Sequence, residues 1–159
     1  MTKSDGSEAG AAASPEAGAA ASPGAGAAAS PEAGAAAFAP DWEAWERVIE
    51  TSGIEIDRPT GSVHPVWSDI TYPIDYGFVR GTLATDGDEL DVFVGSSVNG
   101  LIAAILTTDL RKGDRECKLI YNCTPQEIYL VNGFINFDRT KMHGELVMRR
   151  PMKELFKEA

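Results

Sequence analysis

The sequence predicts an α+β fold, a compact barrel of short strands flanked by brief helices. Short apolar runs recur at roughly ten-residue spacing, separated by Gly, Asp and Asn, as in small all-strand or barrel architectures. Only two segments of any length carry helical periodicity with capping residues, too few for a doubly wound sheet with a helix after every strand. The first forty residues cannot contribute to a core at all, because they repeat one eight-residue unit, Glu-Ala-Gly-Ala-Ala-Ala-Ser-Pro, from Glu8 onward.

In that repeat a Pro every eight residues, with a Gly between, stops an Ala helix before it can offset its nucleation cost. Residues 1–40 therefore read as a disordered spacer tail, and residues 41–159 as one domain. The tail lacks the cationic start and Leu-rich run of a signal peptide, and no run reaches membrane-spanning length. A cytoplasmic protein with no membrane partner is the expectation. The chain of 159 residues carries a formal charge of −10, of which about −7 belongs to the domain, since the tail holds one Lys against four acids. Without a clustered Lys/Arg stripe that balance argues against nucleic acid, whose affinity comes largely from cations displacing counterions. Cys117 and Cys123 are the only cysteines and have no His close in sequence, so they read as buried reduced thiols rather than a zinc site or a disulfide framework.

Along the domain, Asp41 is an N-cap candidate ahead of Trp42, Trp45, Val48 and Ile49 at helical spacing, with Gly53 as the stop. These two Trp residues read as core or subunit-interface contacts. Residues 54–56 alternate like a strand until Asp57-Arg58-Pro59 and the turn-rich Thr60-Gly61-Ser62. Pro65, Pro73 and Gly77 keep the next stretch out of helix. Residues 78–83, 90–94, 101–106 and 118–121 follow as strands. Thr124-Pro125-Gln126-Glu127 is a capping box with Pro at the first helical position, and Ile128, Leu130, Val131, Phe134 and Ile135 supply an apolar face. Residues 145–148 form a last strand before Pro151 opens a short terminal helix.

Asp86, Asp88 and Asp91 fall within six residues, on a turn that runs into the strand Leu90-Asp91-Val92-Phe93-Val94. Alternation puts Leu90, Val92 and Val94 on one face and Asp91 with Phe93 on the other. Offsets of two and five residues fit neither a strand face nor a helix face, so the three can converge only through a bend. Two carboxylates about 4 Å apart repel by about 4 kcal/mol at an effective dielectric of about 20. A converged triad therefore needs a proton or a divalent cation, and oxygen-only ligands favour Mg²⁺ or Mn²⁺ over zinc. A calcium EF-hand loop is excluded, because Leu90 and Asp91 stand where it needs Asp or Asn and then Gly. An exposed acidic turn remains the bland reading.

Thr85-Asp86-Gly87-Asp88-Glu89-Leu90-Asp91-Val92 resembles the signature of the soluble family I inorganic pyrophosphatases. Two further blocks agree. Tyr72-Pro73-Ile74-Asp75-Tyr76-Gly77-Phe78 resembles the Tyr-Pro-x-x-Tyr-Gly-aromatic segment ahead of that signature, and residues 109–119 resemble the later acidic loop ending in Lys-Leu. The resemblance runs from about residue 54 to 119 and implies an oligonucleotide-binding-type β-barrel. It also implies Mg²⁺-dependent hydrolysis of pyrophosphate to two phosphates, with Mn²⁺ as an alternative ion. By similarity Asp86, Asp88, Asp91, Asp109 and Glu116 would hold metal, with Asp114 a rival for the last place. Asp88 would also orient or deprotonate the attacking water, and Arg58, Tyr76 and Lys118 would bind phosphate oxygens. Symmetric homo-oligomers are common in the family.

The pattern departs from the family in two places. Only Glu55 precedes Arg58, where the usual member has a hairpin carrying Glu, Lys and Glu, and the usual C-terminal Tyr-Lys pair is replaced by residues 136–141, which offer Arg139 or Lys141 instead. Arg58-Pro59-Thr60-Gly61-Ser62-Val63-His64-Pro65 resembles the opening of compact, shortened bacterial members. A non-catalytic metal- or phosphate-binding protein on the same fold, or a hydrolase of another small diphosphate, are the competing readings. His64 and His143 read as hydrogen-bonded structural residues.

Overall fold

Every strand expected from the apolar runs forms, but together they make an open sheet rather than a barrel. The computed structural model describes residues 38–84, 87–155 and 157. The repeat through residue 37, and Asp86, lie outside them. The elements are α1 (Trp42–Ser52), β1 (Ile54–Arg58), β2 (Asp75–Val79), β3 (Leu90–Val94), β4 (Leu101–Asp109), β5 (Arg115–Tyr121), α2 (Pro125–Ile135), β6 (Met142–Met148) and α3 (Met152–Leu155). The sheet order is β1-β2-β3-β5-β4-β6, antiparallel throughout except for the parallel β3–β5 pair.

Barrel closure would require β1 and β6 to pair, and they are the two edges of the sheet. The reason lies in how the faces are covered. One face carries Phe93, Ile105 and Ile120 against Ile128, Val131 and Ile135 of α2. The opposite face carries Val92, Ala104 and Leu119 against Trp45 and Ile49 of α1. A small closed barrel hides one face inside itself; this sheet hides both under helices and gains nothing from curling shut. The run Leu101-Ile102-Ala103-Ala104-Ile105 is buried without interruption, the pattern of a strand covered on both sides. The α+β class stands, and the closed barrel does not.

Local chemistry fixes both helices. The Asp41 carboxylate accepts from the Ala44 amide at 3.0 Å, and Gly53, at a φ of 77°, ends α1. In α2 the capping box forms as expected, Thr124 Oγ1 accepting from the Glu127 amide at 3.2 Å while Glu127 accepts from the Thr124 amide at 2.8 Å. Glu127 also accepts from the Ser96 amide, so the cap pins the loop after β3 to the helix. Cys117 and Cys123 are free thiols, half-buried and buried, and burial pushes both up to about 12.

Glu46 joins α1 to the sheet. Its carboxylate accepts from the Leu101 amide at 3.1 Å and from Arg149 Nη1 at 2.7 Å. The Arg149 hydrogen bond holds Glu46 below the usual carboxylate range despite its partial burial. A group with a depressed folded pKa stabilises above its unfolded value, about 4.3, and loses that contribution as pH falls through the folded value. Glu46→Gln is therefore expected to cost about 1 kcal/mol at pH 7. The gap between variant and wild type should close at strongly acidic pH, as read by urea unfolding at both conditions.

Strand boundaries differ from the apolar runs in an informative way. The second strand begins at Asp75 rather than Phe78 and contains Gly77, which the sequence marks as a breaker. A Cβ on Gly77 would overlap the Glu55 carbonyl of β1, so this glycine permits close strand approach. Likewise β4 extends through Thr107, Thr108 and Asp109, and β5 starts at Arg115. Those polar ends are where the site residues sit.

Candidate active site

The site grows from one face and one end of the sheet. Lys118 pairs with Ile105, and Glu116 with Thr107, while the β3–β5 register of Val92 with Leu119 sets Asp91 level with Lys118. Tyr76 lies opposite Phe93, and Arg58 opposite Tyr76. Because side chains alternate, Tyr76, Asp91, Lys118, Glu116 and Asp109 share the face covered by α2. Tyr76, Asp91, Lys118 and Glu116 meet toward the end where β3 and β5 begin and β4 finishes.

Lys118 is the centre. It is 7% exposed, and its ammonium donates to Asp91 Oδ2 at 2.5 Å, Glu116 Oε2 at 2.7 Å and Tyr76 Oη at 3.1 Å. Burial alone would push its proton off, but Tyr76 and the Asp91 and Glu116 carboxylates more than offset that. The ammonium stays charged. Burial likewise pushes the Tyr76 phenol up, so it keeps its proton, with Asp91 as acceptor. A protonated cation and a protonated phenol thus stand between two carboxylates in a partly dry environment, where charge-assisted bonds are strong.

Other sequence-derived candidates are placed differently. Asp88 lies on an exposed bend, its carbonyl accepting from the Ala84 amide at 2.7 Å. Asp109 accepts from the Arg111 and Lys112 amides at 2.8 and 3.2 Å; those backbone bonds, the Arg111 one foremost, hold its carboxyl below the ordinary value. Asp114 is exposed, with its carbonyl bonded to the Asp109 amide. Arg58 is half-buried, its Nη1 3.8 Å from the Asp57 carboxylate, and its side chain hydrogen-bonds Tyr72. Among the described residues no group of three or more His, Cys, Asp or Glu is placed to hold a metal ion. Asp86, the first of the triad, is outside them.

Both histidines make hydrogen bonds, His64 from a loop and His143 from within β6. His64 Nδ1 accepts from the Val66 and Trp67 amides at 3.1 and 3.3 Å, and burial, with Arg58 and Arg111 nearby, pulls its pKa down. His143 contacts Arg139 at 2.8 Å. What sequence reasoning missed is Trp67, whose ring carries the Arg111 guanidinium at 4.8 Å and the Lys141 ammonium at 5.4 Å. Trp67, Arg111 and Lys141 come from three separate loops with no common spacing, so only the tertiary fold joins them.

The site is thus a buried lysine held between two carboxylates on a mixed sheet. Residues 49–109 match the family model described as inorganic pyrophosphatase. The chain is 39% identical over 57 residues to the inorganic pyrophosphatase of Mycoplasma genitalium, covering 34% of this chain and 31% of that protein. It is 46% identical over 43 residues to that of Leifsonia xyli, covering 25% and 26%. The matched stretch thus spans less than a third of these curated relatives. An inorganic pyrophosphatase structure from Coxiella burnetii aligns with a TM-score of 0.39 and 19% identity, over 66% of this chain and 86% of that one. Over residues 49–109 the chain is thus similar to the inorganic pyrophosphatases.

Proposed function

We propose that the protein hydrolyses inorganic pyrophosphate to two phosphates with Mg²⁺, or Mn²⁺, as cofactor. The observation that carries this reading is the buried Lys118 ammonium held between Asp91 and Glu116 and bonded to the Tyr76 phenol. The candidate ligands are all carboxylates, the oxygen donors that a hard divalent cation takes. Asp86, Asp88 and Asp91, with Asp109 and Glu116, would hold it. When bound, the ion supplies a positive field that lowers the pKa of a water and offsets the charge of the substrate.

The chain's own residues supply the rest. Water oxygen attacks one phosphorus, the bridging P–O bond breaks, and the second phosphate leaves with the bridging oxygen. Asp88 accepts the proton of the attacking water, a role a carboxylate can take. Lys118 and Arg58 neutralise the phosphoryl oxygens, and the Tyr76 hydroxyl, kept protonated by burial, donates to one of them. The same reading carries the expectation of a cytoplasmic homo-oligomer.

Phosphate release from pyrophosphate should appear with Mg²⁺ and vanish on chelation with EDTA. Absence of turnover in both Mg²⁺ and Mn²⁺ would sink the enzyme reading. Thermal stabilisation by Mg²⁺ without turnover would support the non-catalytic binding protein instead.

A further inference from the structure

Beside Lys118 and Tyr76 opens a cleft of about 130 Å³, lined largely by aromatic side chains that include Trp67, Phe134 and Phe137. A cavity of about 150 Å³ takes benzene, so this space admits one ring. Phe137 lies on the lining, is 74% exposed and packs in neither core cluster. Its ring offers a free stacking face. The lining is not purely apolar. His64 uses Nδ1 as an acceptor for two amides, which leaves its proton on Nε2, and the Asp138 carboxylate, bonded to Thr140 and Lys141, also borders the space.

We infer that this cleft receives the base of a pyrimidine nucleoside 5′-diphosphate, so that the site also cleaves organic diphosphates. The inference rests on the diphosphate-hydrolysing reading above. Charge complementarity favours it: Lys118 stands on the cleft lining, and Arg111 and Lys141 over Trp67 add positive charge near the cleft for a polyanion. A base and ribose offer acceptors and hydroxyls to His64 Nε2 and to the Asp138 carboxylate, which a hydrocarbon chain does not. In the reaction, water oxygen attacks the terminal phosphorus and the anhydride P–O bond breaks. The nucleoside monophosphate leaves with the bridging oxygen, and the water's proton passes to Asp88.

The test measures phosphate release by the whole chain with Mg²⁺, from uridine 5′-diphosphate and from pyrophosphate, for wild type and Phe137→Ala. Phe137 is exposed, so the variant should fold. Uridine diphosphate should be cleaved, and Phe137→Ala should raise its KM about tenfold, as loss of one stacking face does, with kcat/KM for pyrophosphate unchanged. Cleavage of pyrophosphate alone overturns the inference, and so does an equal effect of Phe137→Ala on both substrates. Cleavage of uridine diphosphate alone supports it and overturns the inorganic reading. If neither is cleaved, calorimetry decides: uridine diphosphate binding weakened by Phe137→Ala supports the cleft's role, and no binding overturns it.

Discussion

Lys118→Met is expected to lower pyrophosphate turnover by about 10²- to 10³-fold, the usual loss when one preorganised charge at a reacting anion is removed. Methionine keeps most of the volume but removes the ammonium that bonds Asp91, Glu116 and Tyr76. Two carboxylates are then left facing each other across an apolar side chain, and stability should fall by about 1–3 kcal/mol. The pH dependence has a definite sign. Lys118 is held above its ordinary pKa, so its contribution is complete below the unfolded value of about 10.4 and is lost only as pH rises through the folded one. The difference between wild type and variant should therefore be constant across the neutral range and narrow only in strong alkali. Lys118→Arg should recover part of the activity. Unchanged turnover in Lys118→Met would remove Lys118 from the reaction.

Asp88→Ala should separate chemistry from stability. The residue lies on an exposed bend outside both core clusters, so the variant should keep its fold. A general base contributes about 10²- to 10⁴-fold, and kcat should fall by that amount. A Mg²⁺ titration of the variant then tells the two assigned roles apart. If excess Mg²⁺ restores the rate, Asp88 serves chiefly to hold the cation. If the rate stays low at saturating Mg²⁺, Asp88 takes the proton. A variant as active as wild type leaves neither role standing.

How much of this was legible in the sequence depended on the range over which each signal acts. The helix caps were local and were read correctly, since Asp41 and the Thr124–Glu127 box act within four residues of themselves. The face carrying Asp91 and Phe93 followed from strict alternation in a five-residue strand. The polar strand ends were not legible. Thr107 to Asp109 and Arg115 to Cys117 look like loop by composition, yet they are strand because β4 and β5 pair there and β6 extends the ladder. Barrel closure was misread for a related reason. Several short strands suggest a barrel, but the uninterrupted burial of residues 101–105 required covering from both sides, and α1 and α2 supply it.

The sequence by itself determined which residues could do chemistry: a dense carboxylate turn, a Tyr-Pro-x-x-Tyr-Gly-Phe block and a Lys-Leu strand, each set by neighbours a few positions apart. Tertiary structure alone decided which of them meet. Lys118 reaches Asp91 across 27 residues of chain and Tyr76 across 42, because β5 inserts between β4 and β3 and runs parallel to β3. That register is fixed by burying two apolar faces at once, a constraint summed over the whole domain and carried by no single segment. The same summation placed Trp67, Arg111 and Lys141 around one ring.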